Sequence, residues 1–218
     1  METFTRRPLR RLALAGIVAG LATTAGGIAH AQAVTDEWAS VKAPASPPEL
    51  KAVTLDPKKT ALFVMDFNKN NCVPAQRVRC ANALPKVQKL LAAARTKGVY
   101  VVNMYTTRMK PEDIATAVQP KPGEPLMSGP VDKFTDNDLA KTLKDKGIDT
   151  VITVGTSANG TVLFTAAGAV LRGFKAVVPV DGIPAEGAYQ EQFVVWELAH
   201  APTVSAGVTL TKIDMIKF

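Results

Sequence analysis

The chain has 218 residues, 47% hydrophobic and 21% charged, with 15 Gly and 15 Pro. That balance excludes a disordered tail, a collagen-like repeat and a coiled coil, and the length suits one domain with a full core. The net charge is +7, but four arginines (Arg6, Arg7, Arg10 and Arg11) against Glu2 supply +3 of it within residues 1–31, leaving +4 spread among interleaved lysines and acids.

No compact Arg/Lys cluster with aromatic residues is present, so nucleic acid is not an expected partner. Two His and two Cys, without H-x-x-x-H or C-x-x-C, predict no metal centre. No glycine-rich phosphate loop follows a strand, and no cofactor is expected.

Residues 1–31 read as an export signal. A basic start containing Arg6-Arg7 precedes a weakly apolar, glycine-rich run from Leu12 to Ile28, which ends in the A-x-A pattern Ala29-His30-Ala31. Adjacent arginines in this setting predict the twin-arginine route, with cleavage after Ala31 or Ala33, a periplasmic or secreted product and no stable membrane anchor after cleavage. Residues 32–55, with their Pro, Ala and Ser stretch, read as an extended lead-in, and 56–218 as the folded domain. In an oxidising compartment Cys72 and Cys80 are suited to a disulfide. A Cys72 nucleophile is the other reading, although no His stands near it in sequence.

The apolar run Thr60–Met65 ending at Asp66 predicts a buried parallel strand. Leu84, Val87, Leu90, Leu91 and Ala94 recur at helical spacing up to a stop at Gly98. Residues 99–105 make a second strand, followed by a proline-rich loop. Asp136 or Asn137 caps a helix carrying Leu139 and Leu143, with Gly147 as its stop. Residues 150–154 form a third strand, 161–171 a helix of small residues ended by Gly173, and 175–180 a fourth strand. A helix over 189–200 and an edge strand over 208–213 complete the pattern. The alternation predicts an α/β fold of three layers, Rossmann-like, with a parallel sheet and helices on both faces. Ligands bind such sheets beyond the carboxyl ends of the strands, where Asp66, the segment Gly155 to Asn159, and Asp181 lie.

Three segments resemble the isochorismatase-like hydrolases: Leu62 to Asn68 (LFVMDFN), Phe134 to Leu139 (FTDNDL) and Gly147 to Ala166 (GIDTVITVGTSANGTVLFTA). The resemblance spans roughly residues 56–216. It implies that Asp66 is the family's acid–base carboxylate and that the Thr156–Ser157 bond is cis. The amidase members use a Cys nucleophile, with a Lys stabilising the charges. The Cys position falls on Thr161, and the usual Lys position on Ser128, with Lys133 offered instead. Isochorismatases proper also lack the Cys and protonate a vinyl ether, which water then cleaves. By this resemblance Asn68, Thr156, Ser157, Asn159 and Gly160 line the substrate pocket. Asn159 is a pocket donor or a cap, and the backbone amides of Gly160 and Thr161 are set to hold an oxyanion or carboxylate. Lys133 is a charge-stabilising partner or a solvated lysine paired with Asp132. Two functions stay open: a cofactor-free hydrolase of a small molecule, expected as a homo-oligomer, and a relative without turnover that serves as a binding or scaffold protein.

Overall fold

The computed structural model describes residues 33–44 and 46–218. The export signal expected over 1–31 lies outside the described residues, and among those described no helix is long and apolar enough to cross a membrane. The chain divides into two units at Pro44/Ala45. In the first, the described part is a short exposed helix, α1 (Val34–Glu37).

The second unit runs β1 (Val53–Thr54), β2 (Thr60–Met65), α2 (Val78–Thr96), β3 (Tyr100–Thr106), β4 (Leu126–Gly129), α3 (Leu139–Asp145) and β5 (Thr150–Gly155). A π-helical turn (Ala158–Val162) then leads into α4 (Leu163–Leu171), followed by β6 (Lys175–Pro179), α5 (Ala188–His200), β7 (Val208–Thr211) and β8 (Ile216–Lys217). Six strands form one parallel sheet in the order β4-β3-β2-β5-β6-β7. The chain builds outward from β2 on one side and outward from β5 on the other. With right-handed crossovers, this reversal puts α2 on one face of the sheet and α4 on the opposite face.

Side-chain alternation along β2 confirms the layers. Phe63 and Met65 pack into a core with Val162, Ala166 and Ala169, whereas Leu62 and Val64 pack against Val87, Leu90 and Leu91 of α2. Every residue of β2 and β5 is buried, which explains why both read as unbroken apolar runs. Gly98, Gly147 and Gly173, with φ of +74°, +72° and +86°, end the three helices predicted to stop there.

Four details correct the expectations. β4 falls inside what reads as a loop, because an edge strand flanked by Pro125 and Pro130 with exposed Leu126 shows little strand pattern. The lead-in is not wholly extended: besides α1, its Val53–Thr54 pairs in parallel with Ile216–Lys217. The last predicted strand ends at Thr211 and gives way to a single 3-10 turn at Ile213–Met215. The N-cap of α3 is Asp138, one residue past the two candidates, and it makes no side-chain cap bond; Asn137 Oδ1 accepts the Leu139 N–H at 2.9 Å from the position before it.

Candidate active site

The switch point between β2 and β5 is where an open sheet of this kind splays and leaves room for a ligand. Met65 pairs with Gly155, and the Thr156 N–H donates to the Met65 carbonyl at 3.1 Å. Asp66 and Thr156 therefore stand side by side at the carboxyl edge of the two central strands. The strands approach so closely here that a Cβ on Gly155 would come within 2.7 Å of the Met65 carbonyl oxygen, so only glycine fits. Asp66 has φ +61°, a left-handed conformation that Asp tolerates better than most residues but still at a cost. Such strain persists where the surroundings over-determine it, most often at functional sites.

Lys133 reaches this carboxylate. Its Nζ donates to Asp66 Oδ1 at 2.8 Å, and also to the carbonyls of Gly129 at 3.2 Å and Tyr105 at 3.5 Å, so all three ammonium donors have acceptors. The two side chains are 1% and 4% exposed. The alternative pairing of Lys133 with Asp132 does not occur. Asp132 instead contacts Arg172 Nη1 at 3.1 Å and accepts the Phe134 N–H. Thr165 of α4 holds the loop in place. Its hydroxyl donates to the Val131 carbonyl at 3.0 Å and accepts the Lys133 N–H at 3.2 Å.

Burial pushes the Asp66 carboxyl above the usual carboxylate range. The Lys133 charge and hydrogen bond, and then the Thr161 hydroxyl, pull it part of the way back. Thr161 is buried, and its hydroxyl also contacts Met65 Sδ at 3.8 Å. Asp66, Lys133 and Thr161 thus form one buried group. It has a proton donor or acceptor in Asp66 and a hydrogen-bonded ammonium in Lys133.

The other residues expected in the pocket divide. Thr156 is buried beside Asp66, and the Thr156–Ser157 bond is cis. Ser157 donates to Asn159 Oδ1, and Asn159 is exposed, so Asn159 secures the turn. The Gly160 N–H donates to the Ser157 carbonyl at 3.1 Å, which removes it from the expected pair of free amides. Asn68 likewise serves its own turn, with its Oδ1 accepting the Asn70 N–H at 2.8 Å and its backbone bridging to Ile114. Cys72 and Cys80 form a disulfide with their Cα atoms 5.1 Å apart, so a Cys72 nucleophile is set aside.

Sequence reasoning missed two residues at the site. Thr165 lies one helical turn after Thr161, a spacing that the small-residue run conceals. Arg77, between the two cysteines, donates from Nη2 to Thr156 Oγ1 at 2.7 Å. Among the described residues no cluster of three or more His, Cys, Asp or Glu is placed to hold a metal ion.

Residues 60–212 match the model of the isochorismatase domain. The chain belongs to the isochorismatase family. Members of this family are hydrolases of small molecules, and this one carries the family's α/β fold. No curated protein sequence matches it at a significant level. Solved structures share the fold at low identity. A cysteine hydrolase from Pseudomonas syringae pv. phaseolicola 1448A is 20% identical with a TM-score of 0.65, over 77% of this chain and 94% of that one. N-carbamoylsarcosine amidase from Thermoplasma acidophilum is 22% identical with a TM-score of 0.60, over 72% and 97%. The MAR1 ribonuclease of Caenorhabditis elegans is 20% identical with a TM-score of 0.59, over 74% and 81%.

Proposed function

We propose that this isochorismatase-family protein is an exported hydrolase that cleaves a small molecule without a cysteine nucleophile, with Asp66 as general acid–base and Lys133 as its electrostatic partner. The observation that carries the reading is the buried Asp66–Lys133 contact of 2.8 Å at the switch point of the sheet. A carboxyl raised by burial stays protonated to higher pH, as a general acid requires. On a vinyl ether, Asp66 donates its proton to the terminal alkene carbon and the adjacent carbon becomes an oxocarbenium ion. Water adds there, and the resulting hemiketal collapses to a carbonyl compound and an alcohol, returning a proton to Asp66. Lys133 stabilises the carboxylate while that proton is away. The disulfide supports a mechanism without a thiol, since it occupies both cysteines. It also supports export to an oxidising compartment. The test is a panel of small amides and vinyl ethers offered to the purified protein. Turnover of a vinyl ether that disappears in Asp66→Asn is expected. Turnover of amides alone, with vinyl ethers untouched, would overturn the proposed chemistry.

A further inference from the structure

The outer faces of α4 and α5 are apolar where a surface helix is ordinarily charged. Among the described residues of the second unit, the exposed aromatic side chains are Phe164, Tyr189, Phe193 and Trp196, and all four lie on these two helices. Leu171, at the end of α4, is exposed with them. On α5 the spacing makes one stripe. Tyr189, Phe193, Trp196 and His200 follow one another at helical intervals, on the side opposite the buried Val194 and Leu198. The Trp196 and His200 rings stack with their centroids 4.7 Å apart. Phe164 and Leu171, about two turns apart on α4, likewise face away from the buried Ala166 and Ala169. The two helices lie side by side, because they are the successive crossovers from β5 to β6 and from β6 to β7 on one face of the sheet.

Charge is scarce here as well. α4 has no charged residue. Of the two carboxylates on α5, Glu191 is engaged by Arg79, which leaves Glu197. The core uses only the inner faces of these helices, so the fold itself does not require apolar outer ones. By the usual sizes of such side chains the five residues present roughly 500 Å² of apolar surface, since they are between 39% and 70% exposed. An interface of standard size buries about 800 Å² per partner, of which about 56–65% is non-polar, so the patch supplies the apolar area that a stable dimer needs. Aromatic enrichment and charge depletion are also the marks of an interface core. A partner for this surface has to be equally free of charge, because an opposing ammonium or carboxylate would be buried without a counter-charge. The same two helices of a second copy meet that condition, and a two-fold axis lets one patch serve both sides. We propose that the protein is a two-fold dimer in which α4 and α5 of one copy pack against α4 and α5 of the other.

The test is sedimentation equilibrium of the purified protein from about 1 to about 100 μM. The parent is expected to be a dimer. Tyr189→Glu and Leu171→Glu change the two most exposed side chains of the patch, and each enters a two-fold interface twice. Each should raise the dimer Kd by about 30-fold or more, with the circular dichroism of the parent. Val78→Glu, at an exposed apolar position of α2, should leave Kd unchanged. A parent that stays monomeric at the highest concentration, an unchanged Kd in either patch variant, or an equal loss in Val78→Glu would overturn the proposal. Binding of a monomeric parent to uncharged phospholipid vesicles would make the patch a membrane contact and overturn it too. If a glutamate variant does not fold, Tyr189→Ser and Leu171→Ser take its place under the same criteria.

Discussion

Lys133 Nζ lies 2.8 Å from Asp66 Oδ1 although 67 residues separate them in the chain. Burying such a pair costs desolvation that the mutual attraction repays only in part, so it is a poor device for stability alone. In the proposed mechanism it keeps a carboxyl with a raised pKa next to the Lys133 ammonium, at the edge of the two central strands.

The first prediction concerns pH. Activity that needs the protonated Asp66 should hold above the ordinary carboxylate range and fall as pH rises through the raised value. Lys133 lowers that value, so Lys133→Met should move the falling limb to higher pH while reducing the rate. The same group acts on stability. Between the ordinary and the raised pKa the folded state binds the proton and the unfolded state has lost it, so stability declines as pH rises through that window. Asp66→Asn should lack this part of the slope. Rate–pH profiles and melting curves across the range check both statements, and a limb that stays put in Lys133→Met would count against the coupling.

Asp66→Asn should abolish turnover and leave a folded protein. The amide keeps the shape and still accepts from Lys133, but it offers no acid proton. Its melting temperature should stay near the parent's where Asp66 is protonated, since the neutral amide there replaces a neutral carboxyl beside Lys133. Circular dichroism and turnover on the same sample decide the matter. Half the parent rate in a folded variant would remove Asp66 from the mechanism.

No covalent intermediate should form at Thr161. Its hydroxyl has no base placed to activate it beyond a carboxyl already engaged by Lys133. Thr161→Ala should reduce activity modestly, by the equivalent of about 1 kcal/mol for one lost hydrogen bond, and thiol-alkylating reagents should leave activity intact. Mass analysis of the peptide containing Thr161 during turnover is the check, since a trapped acyl group there would reverse the conclusion.

The Cys72–Cys80 bridge should be inert in the native state, because both residues are buried, and should show no free thiol even after unfolding without reductant. Reduction, or Cys72→Ser with Cys80→Ser, should lower stability by about 2–3 kcal/mol for so short a loop. Quantitative thiol labelling and denaturant titration measure the two effects.

Apart from α1, β4 and the short β1–β8 pair, the strand and helix order was readable from the sequence by itself. β2 and β5 are buried on both faces, and local hydrophobicity must then run unbroken, while glycines with positive φ close α2, α3 and α4. Asp66 was visible for the same reason: a single charged residue at the end of an apolar strand has few structural explanations. The disulfide was legible as a possibility, from the spacing of the chain's two cysteines. What only the tertiary structure decided is which distant side chains meet. Lys133 is an ordinary lysine in sequence, and it becomes a site residue because Thr165, Asp132 and Arg172 clamp its loop against α4. Arg77 shows no local pattern at all; its place shows only in its hydrogen bond to Thr156, 79 residues away in the chain. The Gly160 N–H is taken up by the Ser157 carbonyl, and the exposed Asn159 accepts from the Ser157 hydroxyl, contacts that no local sequence pattern announces. Local propensity and hydrophobic period act over a few residues, so they set the elements. The polar contacts of the site join segments tens of residues apart, and they exist only once the sheet has brought its carboxyl ends together.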